Sequence, residues 1–188
     1  MGKLVIISGP SGAGKSTIVK SLLENENYGF VFSVSATSRA MRDGEIEGEN
    51  YHFLSIDEFK SKIEEKRFLE WEEVYPSQYY GTLKTDVDVR LAEEKNVLFD
   101  VDVMGAINIK REYKDICKTI FIMPPSVEEL EARLRGRNTE DEASIKKRVR
   151  KSKMEMHYSK KFDNIVENVE LDKAVADVNE LVKEFMEG

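Results

Sequence analysis

The string Gly9-Pro10-Ser11-Gly12-Ala13-Gly14-Lys15-Ser16 constrains this chain more than any other feature, because of what stands on either side of it. Before it runs the apolar segment Lys3 to Ser8; after it Ile18, Leu22 and Leu23 recur at helical spacing. Strand, glycine loop and helix in that order is the context in which the pattern G-x-x-x-x-G-K-[ST] cradles phosphate. Glycines let backbone N–H groups wrap an anion, and the helix N-terminus adds positive potential. Lys15 reaches the outer phosphates and Ser16 can ligate magnesium.

Further short apolar runs at Val31 to Val34, Val97 to Val101 and Thr119 to Met123, with a weaker one at Ile165-Val166, alternate with helical patterns. Continuous apolar strands between helices predict an α/β fold, a parallel sheet covered on both faces. Ser55-x-x-Glu58, Ser126-x-x-Glu129 and Thr139-x-x-Glu142 read as capping boxes, and Pro124-Pro125 ends a strand. A last helix is expected after Asp172, with Val175, Val178, Leu181, Val182 and Phe185 on its core stripe. Two stretches break the alternation. Ser35 to Lys84 reads as a small mixed sheet around one helix, and Val127 to Tyr158 as a highly charged helical segment. With no repeat or linker, both are expected as inserts in a single domain, 1–188, whose core is 1–34, 85–126 and 159–188.

Charge narrows the function. The 36 Asp and Glu against 29 Lys and Arg leave a net −7, which disfavours nucleic acid and anionic membranes as partners. No apolar run reaches the ~18 residues of a membrane helix. The start lacks a signal-peptide layout, and Ile6 stands where a myristoylation motif needs Ser or Thr. A lone Cys117 excludes an internal disulfide, and with His52 and His157 it cannot assemble a Cys/His zinc set. The reducing cytoplasm is the expected compartment. The Asn-Lys-x-Asp guanine-reading motif of small GTPases is absent, and Arg-bearing inserts early and late in the chain suit two substrates. Transfer of phosphate to a small acceptor is therefore favoured.

The segment Ser33 to Glu45, followed by Gly48-Glu49-Asn50-Tyr51-His52-Phe53, resembles guanylate kinase. The resemblance continues through Phe68-Leu69-Glu70-Trp71, Tyr79-Tyr80-Gly81-Thr82, Asp100-Val101-Asp102, Pro124-Pro125-Ser126 and Arg133-Leu134-Arg135-Gly136-Arg137, and so covers nearly the whole chain in order. It implies Mg2+-dependent transfer from ATP to GMP, and to dGMP, on the phosphate-loop NTPase fold. That fold carries a mixed α/β GMP-binding insert (35–84) and a helical lid (127–158), and the protein is expected as a monomer or homodimer. ATP would be held by Gly9, Pro10, Ser11, Gly12, Ala13, Gly14, Lys15, Ser16 and Thr17, with Arg133, Arg137 and Asn168. Ser35, Arg39, Arg42, Tyr51 and Tyr80 match positions that hold the acceptor phosphate, a task for which paired arginines suit a dianion. Glu70, Thr82 and Asp102 match the guanine readers: a carboxylate accepts from guanine N1–H and N2–H together, whereas adenine offers neither donor. Asp100 and Ser16 would serve the metal, Asp100 through water. Arg133, Arg137 and Arg148 match lid arginines, with Arg148 also expected against GMP and Lys15 and Arg39 among the catalytic set.

Two departures from the family pattern stand out. Met104 occupies a place often held by Gln, and Asn168-Val169-Glu170 replaces an Asn-Asp-Asp-like stretch. The alternatives are a non-catalytic relative that binds phosphorylated peptides, against which the intact phosphate loop and lid arginines argue, or a kinase for another nucleoside monophosphate. The basic run Lys146 to Lys153 reads as a partly solvated lid face, and Arg135 and Arg150 carry no role.

Overall fold

The computed structural model describes residues 2–136 and 142–188. Strands β1 (Leu4–Ser8), β2 (Phe30–Phe32), β7 (Asn96–Asp100), β8 (Cys117–Met123) and β9 (Asn164–Glu167) form one parallel sheet of order β2-β7-β1-β8-β9. A second sheet, β4-β3-β6-β5, is built from β3 (Ala36–Thr37), β4 (His52–Phe53), β5 (Phe68–Tyr75) and β6 (Gln78–Leu83). The helices are α1 (Lys15–Glu24), α2 (Ile56–Glu64), α3 (Lys84–Ala92), α4 (Val103–Tyr113), α5 (Val127–Arg135), α6 (Glu142–His157) and α7 (Leu171–Glu187).

The parallel sheet is buried on both faces at its central strands β7, β1 and β8, which is why these read as unbroken apolar runs. Side chains alternate across it. Val5, Ile7, Leu98, Ile120 and Ile122 pack with Ile18 and Leu22 of α1 and Val178 and Val182 of α7. Leu4, Ile6, Val97, Phe99 and Phe121 face the other way, against Val87 of α3 and Val103, Ala106 and Ile109 of α4. The smaller sheet has its own core around Phe59 of α2, stacked on Phe68 at 4.3 Å and on Tyr79 at 5.4 Å.

Helix starts follow the sequence with instructive differences. The Ser55 box closes in both directions, Ser55 Oγ accepting from Glu58 N and the Glu58 carboxylate from Ser55 N. At α5 only half a box forms: Ser126 Oγ accepts from Glu129 N at 3.0 Å, while the Glu129 carboxylate turns along the helix to Arg133 Nε, also at 3.0 Å. A nearby guanidinium is the stronger partner for that carboxylate. The Thr139 box and Arg137 lie outside the described residues. α7 begins at Leu171, so Asp172 sits inside its first turn, where its charge meets the positive helix end.

Phe121 is fully buried and meets Phe162 edge to face at 5.2 Å. Phe121→Ala should cost about 3–5 kcal/mol, read as a lowered urea midpoint.

Candidate active site

The loop between β1 and α1 turns through left-handed backbone at Gly9 (φ 144°) and Gly14 (φ 92°). Neither position has room for a side chain: a Cβ on Gly9 would stand 2.4 Å from the Ile122 carbonyl oxygen, and one on Gly14 2.3 Å from Asn168 Nδ2. Gly14 caps α1 without a side-chain bond, so no capping side chain occupies the first-turn N–H groups. Lys15 Nζ donates to the carbonyls of Gly9 (2.7 Å) and Pro10 (3.3 Å), across the loop mouth. Asp100, paired in register with Ile7, closes the neighbouring strand. Burial pushes its carboxyl above the usual range, with Lys15 pulling the other way. Ser16 and Thr17 are exposed on the first turn of α1.

A cavity of about 690 Å³ opens in front of this loop, walled by Ser11, Lys15, Asp100, Asp102, Glu72 of β5 and one face of α6. Arg148 crosses it, Nη1 donating to Ser11 Oγ at 2.9 Å. Lys151 Nζ lies 3.2 Å from Glu72 Oε1, joining α6 to the smaller sheet. Glu155 lies on the same wall, its carboxyl raised by burial against the pull of Lys151 and Lys15. Ser144, Lys147, Arg148, Lys151, Ser152 and Glu155 thus share one face of α6. Of these the sequence reading singled out Arg148 alone, although the spacing of three and four was there to find.

Beside the cavity, Glu70 and Thr82 pair across β5 and β6, and Thr82 Oγ1 donates to Glu70 Oε1 at 2.7 Å. Gly105 leaves space for both neighbouring carboxylates, since a Cβ there would fall 3.3 Å from Asp102 Oδ1 and from Glu70 Oε2. Asp102 caps α4 through Oδ1, which accepts from Gly105 N at 2.8 Å. Burial pushes the Glu70 carboxyl up to about 7; the Thr82 hydrogen bond opposes the rise and the Asp102 charge adds to it.

A third group surrounds Arg39, whose side chain is 7% exposed. Its guanidinium lies over the rings of Tyr51 (4.9 Å) and Phe53 (5.5 Å), with Tyr80 against Tyr51 at 5.9 Å. Glu45 meets it fork to fork, and also accepts from the backbone N of the exposed Arg42 at 2.7 Å. Ser35 precedes β3, and its carbonyl accepts from His52 N at 2.9 Å.

Two residues are placed away from the cavity. Arg133 is tied to Glu129 and, through Nη2, to the Asn168 carbonyl at 3.2 Å. Asn168, 2% exposed, donates Nδ2 to the Ala13 carbonyl at 2.7 Å and its backbone N to Met123 O at 2.8 Å, bracing the loop from behind. Its Oδ1 is buried with no hydrogen-bond partner among the described residues.

The family model described as guanylate kinase matches residues 1–185. The chain belongs to the guanylate kinase family. Guanylate kinases of Porphyromonas gingivalis and Bacteroides thetaiotaomicron are 48% and 47% identical to it. The alignments cover 99% and 98% of this chain and 99% and 90% of theirs. A crystal structure of guanylate kinase from Anaplasma phagocytophilum shares the fold, with a TM-score of 0.70 at 24% identity, over 97% of this chain and 85% of that one. Like other guanylate kinases the chain is a nucleotide-binding transferase with a parallel sheet flanked by helices. Among the described residues no helix is long and apolar enough to cross a membrane.

In this guanylate kinase a carboxyl held near 7 weakens the empty fold at alkaline pH. The folded state keeps a proton that the unfolded chain, at the ordinary glutamate value of 4.5, has already lost. Stability therefore falls as pH rises from about 4.5 through about 7. Glu70→Gln cannot ionise and keeps an acceptor for Thr82. Without nucleotide it should be more stable than the parent at pH 8, by roughly 3 kcal/mol, and lose that advantage near pH 4.5; urea midpoints at both pH values check it.

Proposed function

We propose that this chain, which as a guanylate kinase transfers the γ-phosphoryl group of ATP to GMP, takes dGMP as a second acceptor, requires Mg2+ and works in the cytoplasm, with its site residues in the roles given below. The observation that carries this reading is the position of Asp102. It walls the phosphate-loop cavity together with Lys15 and stands beside Glu70 across Gly105, so the donor-phosphate and base-reading regions adjoin.

On this reading the backbone of residues 9–17 and Lys15 hold the donor phosphates, and Arg133 and Arg137 are further ATP ligands, Arg133 on leaving its bonds to Glu129 and Asn168. Asn168 serves ATP indirectly, by holding the loop through Ala13. Arg39, Arg42, Tyr51, Tyr80 and Ser35 take the acceptor phosphate. Glu70 and the free oxygen of Asp102 accept the guanine N–H groups, and Thr82 holds the Glu70 carboxylate in place. Adenine would leave that buried carboxylate without donors, a mismatch worth ~10⁴ in discrimination.

No side chain need act as general base. With a second phosphate pKa near ~6, the acceptor is already mostly a dianion at neutral pH. Catalysis then rests on alignment and on cations placed around the transferring group: Lys15 from the loop and Arg148 from α6. Ser16 and Asp100 offer hard oxygen donors on adjacent segments. Among the described residues no cluster of three or more His, Cys, Asp or Glu could hold a metal alone. That sparse donor set fits Mg2+, which keeps several waters and binds through substrate phosphates. When bound, the ion would neutralise charge on the donor phosphates.

The test is magnesium-dependent ADP formation with GMP, dGMP, AMP, CMP, UMP and dTMP supplied separately. Turnover confined to the guanine acceptors is expected, and silence with all six would favour a binding role. Lys15→Ala should keep the fold by circular dichroism and lower kcat by at least about a hundredfold. Glu70→Gln should raise KM for GMP while leaving KM for ATP unchanged.

A further inference from the structure

Arg39 donates three hydrogen bonds within the protein: Nη1 to Ala40 O at 2.9 Å, Nη1 to Glu45 Oε2 at 2.7 Å, and Nη2 to Glu45 Oε1 at 2.5 Å. A guanidinium has five N–H groups in a rigid plane. Glu45 therefore occupies the end fork and Ala40 the hydrogen on the Cδ side, which leaves the side fork, formed by Nε–H and the second Nη2 hydrogen, to the Tyr80 hydroxyl and to a ligand. Tyr51 and Phe53 lie against the π-system, so rotation of the plane is blocked as well. Tyr80 lies within hydrogen-bonding reach of the same group.

The carboxylate that does this is itself held firmly. Asp43 and Gly44 form a turn closed by Glu45 N to Arg42 O at 3.1 Å, and Gly44 takes the positive φ of 85° that such a turn needs. The turn brings Glu45 back over Arg39, and Glu45 Oε2 also accepts from Arg42 N at 2.7 Å. The Arg39 fork, helped by that backbone bond, holds the Glu45 carboxyl down at about 2, so it is charged throughout the neutral range.

We infer that Glu45 is a positioning residue for the acceptor phosphate: it locks the end fork of Arg39 so that the side fork is presented to a phosphate dianion, and fixes the backbone from which Arg42 projects. This rests on the reading of Arg39 as an acceptor-phosphate ligand. The two bidentate faces of one guanidinium are used by two anions, one internal and permanent, the other the substrate. A solvated arginine would have to be ordered anew at each binding event; here the ordering is complete beforehand.

The experiment compares GMP with guanosine, which has the base and sugar but no phosphate. Glu45→Gln keeps the shape and loses the charge. KM for GMP should rise about ten- to a hundredfold, the scale of a charged hydrogen-bond set. The inhibition constant of guanosine as a competitor and KM for ATP should stay within about twofold, because neither ligand uses the Arg39 side fork. Equal weakening of GMP and guanosine would mean that Glu45 only holds the smaller sheet together, and the inference would fall. Tighter GMP binding would also overturn it, by showing that the carboxylate competes with substrate. Arg39→Ala, assayed alongside, separates the two levels. If it weakens GMP and Glu45→Gln does not, only the role of Glu45 is wrong; if it leaves GMP affinity intact, the assignment of Arg39 itself fails.

Discussion

The phosphate end of the molecule depends on how tightly one glycine loop is pressed between a buried strand and the corner that follows β9. Gly9 passes so close to Ile122, and Gly14 so close to Asn168, that a methyl group at either would collide. Held in that space, the loop closes on itself through Ala13 N to Pro10 O at 3.1 Å and brings Gly9, Ser11 and Lys15 to the cavity wall where α1 begins. Asn168 completes the clamp from behind, holding Ala13 with its side chain and Met123 with its backbone. The sheet order places this loop on the central strand, with β7 and β8 on either side, so Asp100 stands beside it by topology.

Carboxylates on the acceptor side show how environment divides one residue type into different tasks. Glu45 faces a guanidinium and is held down at about 2, whereas Glu70 is buried with one hydroxyl and a second carboxylate, Asp102, beside it and rises to about 7. The first is already satisfied and serves as structure. The second lacks a cationic partner, which suits a group whose partner is the N–H edge of a bound base. On the proposed reading, its instability when empty and its selectivity for a bound base come from the same burial.

Much of the fold was legible in the chain because its determinants are local or periodic. A strand buried on both faces is an unbroken apolar run, and strand, glycine loop and helix occupy consecutive residues. The half-formed box at Ser126 was misread because Glu129 found Arg133, a competitor that the motif does not mention. The cavity face of α6 was passed over because a basic run looks the same whether it faces water or a neighbouring carboxylate such as Glu72. Glu70 could be singled out only through the family register, since a glutamate among glutamates on an edge strand carries no mark of burial.

The sequence alone determined the phosphate loop, the parallel sheet beneath it and the family to which both belong, since these follow from patterns within short stretches and along the whole chain. Tertiary structure decided which polar groups meet: Glu45 with Arg39, Arg148 with Ser11, Asn168 with Ala13. The last two pairs lie 137 and 155 residues apart. A charged side chain has several partners within reach in composition, and only the folded backbone, by burying some and exposing others, selects one.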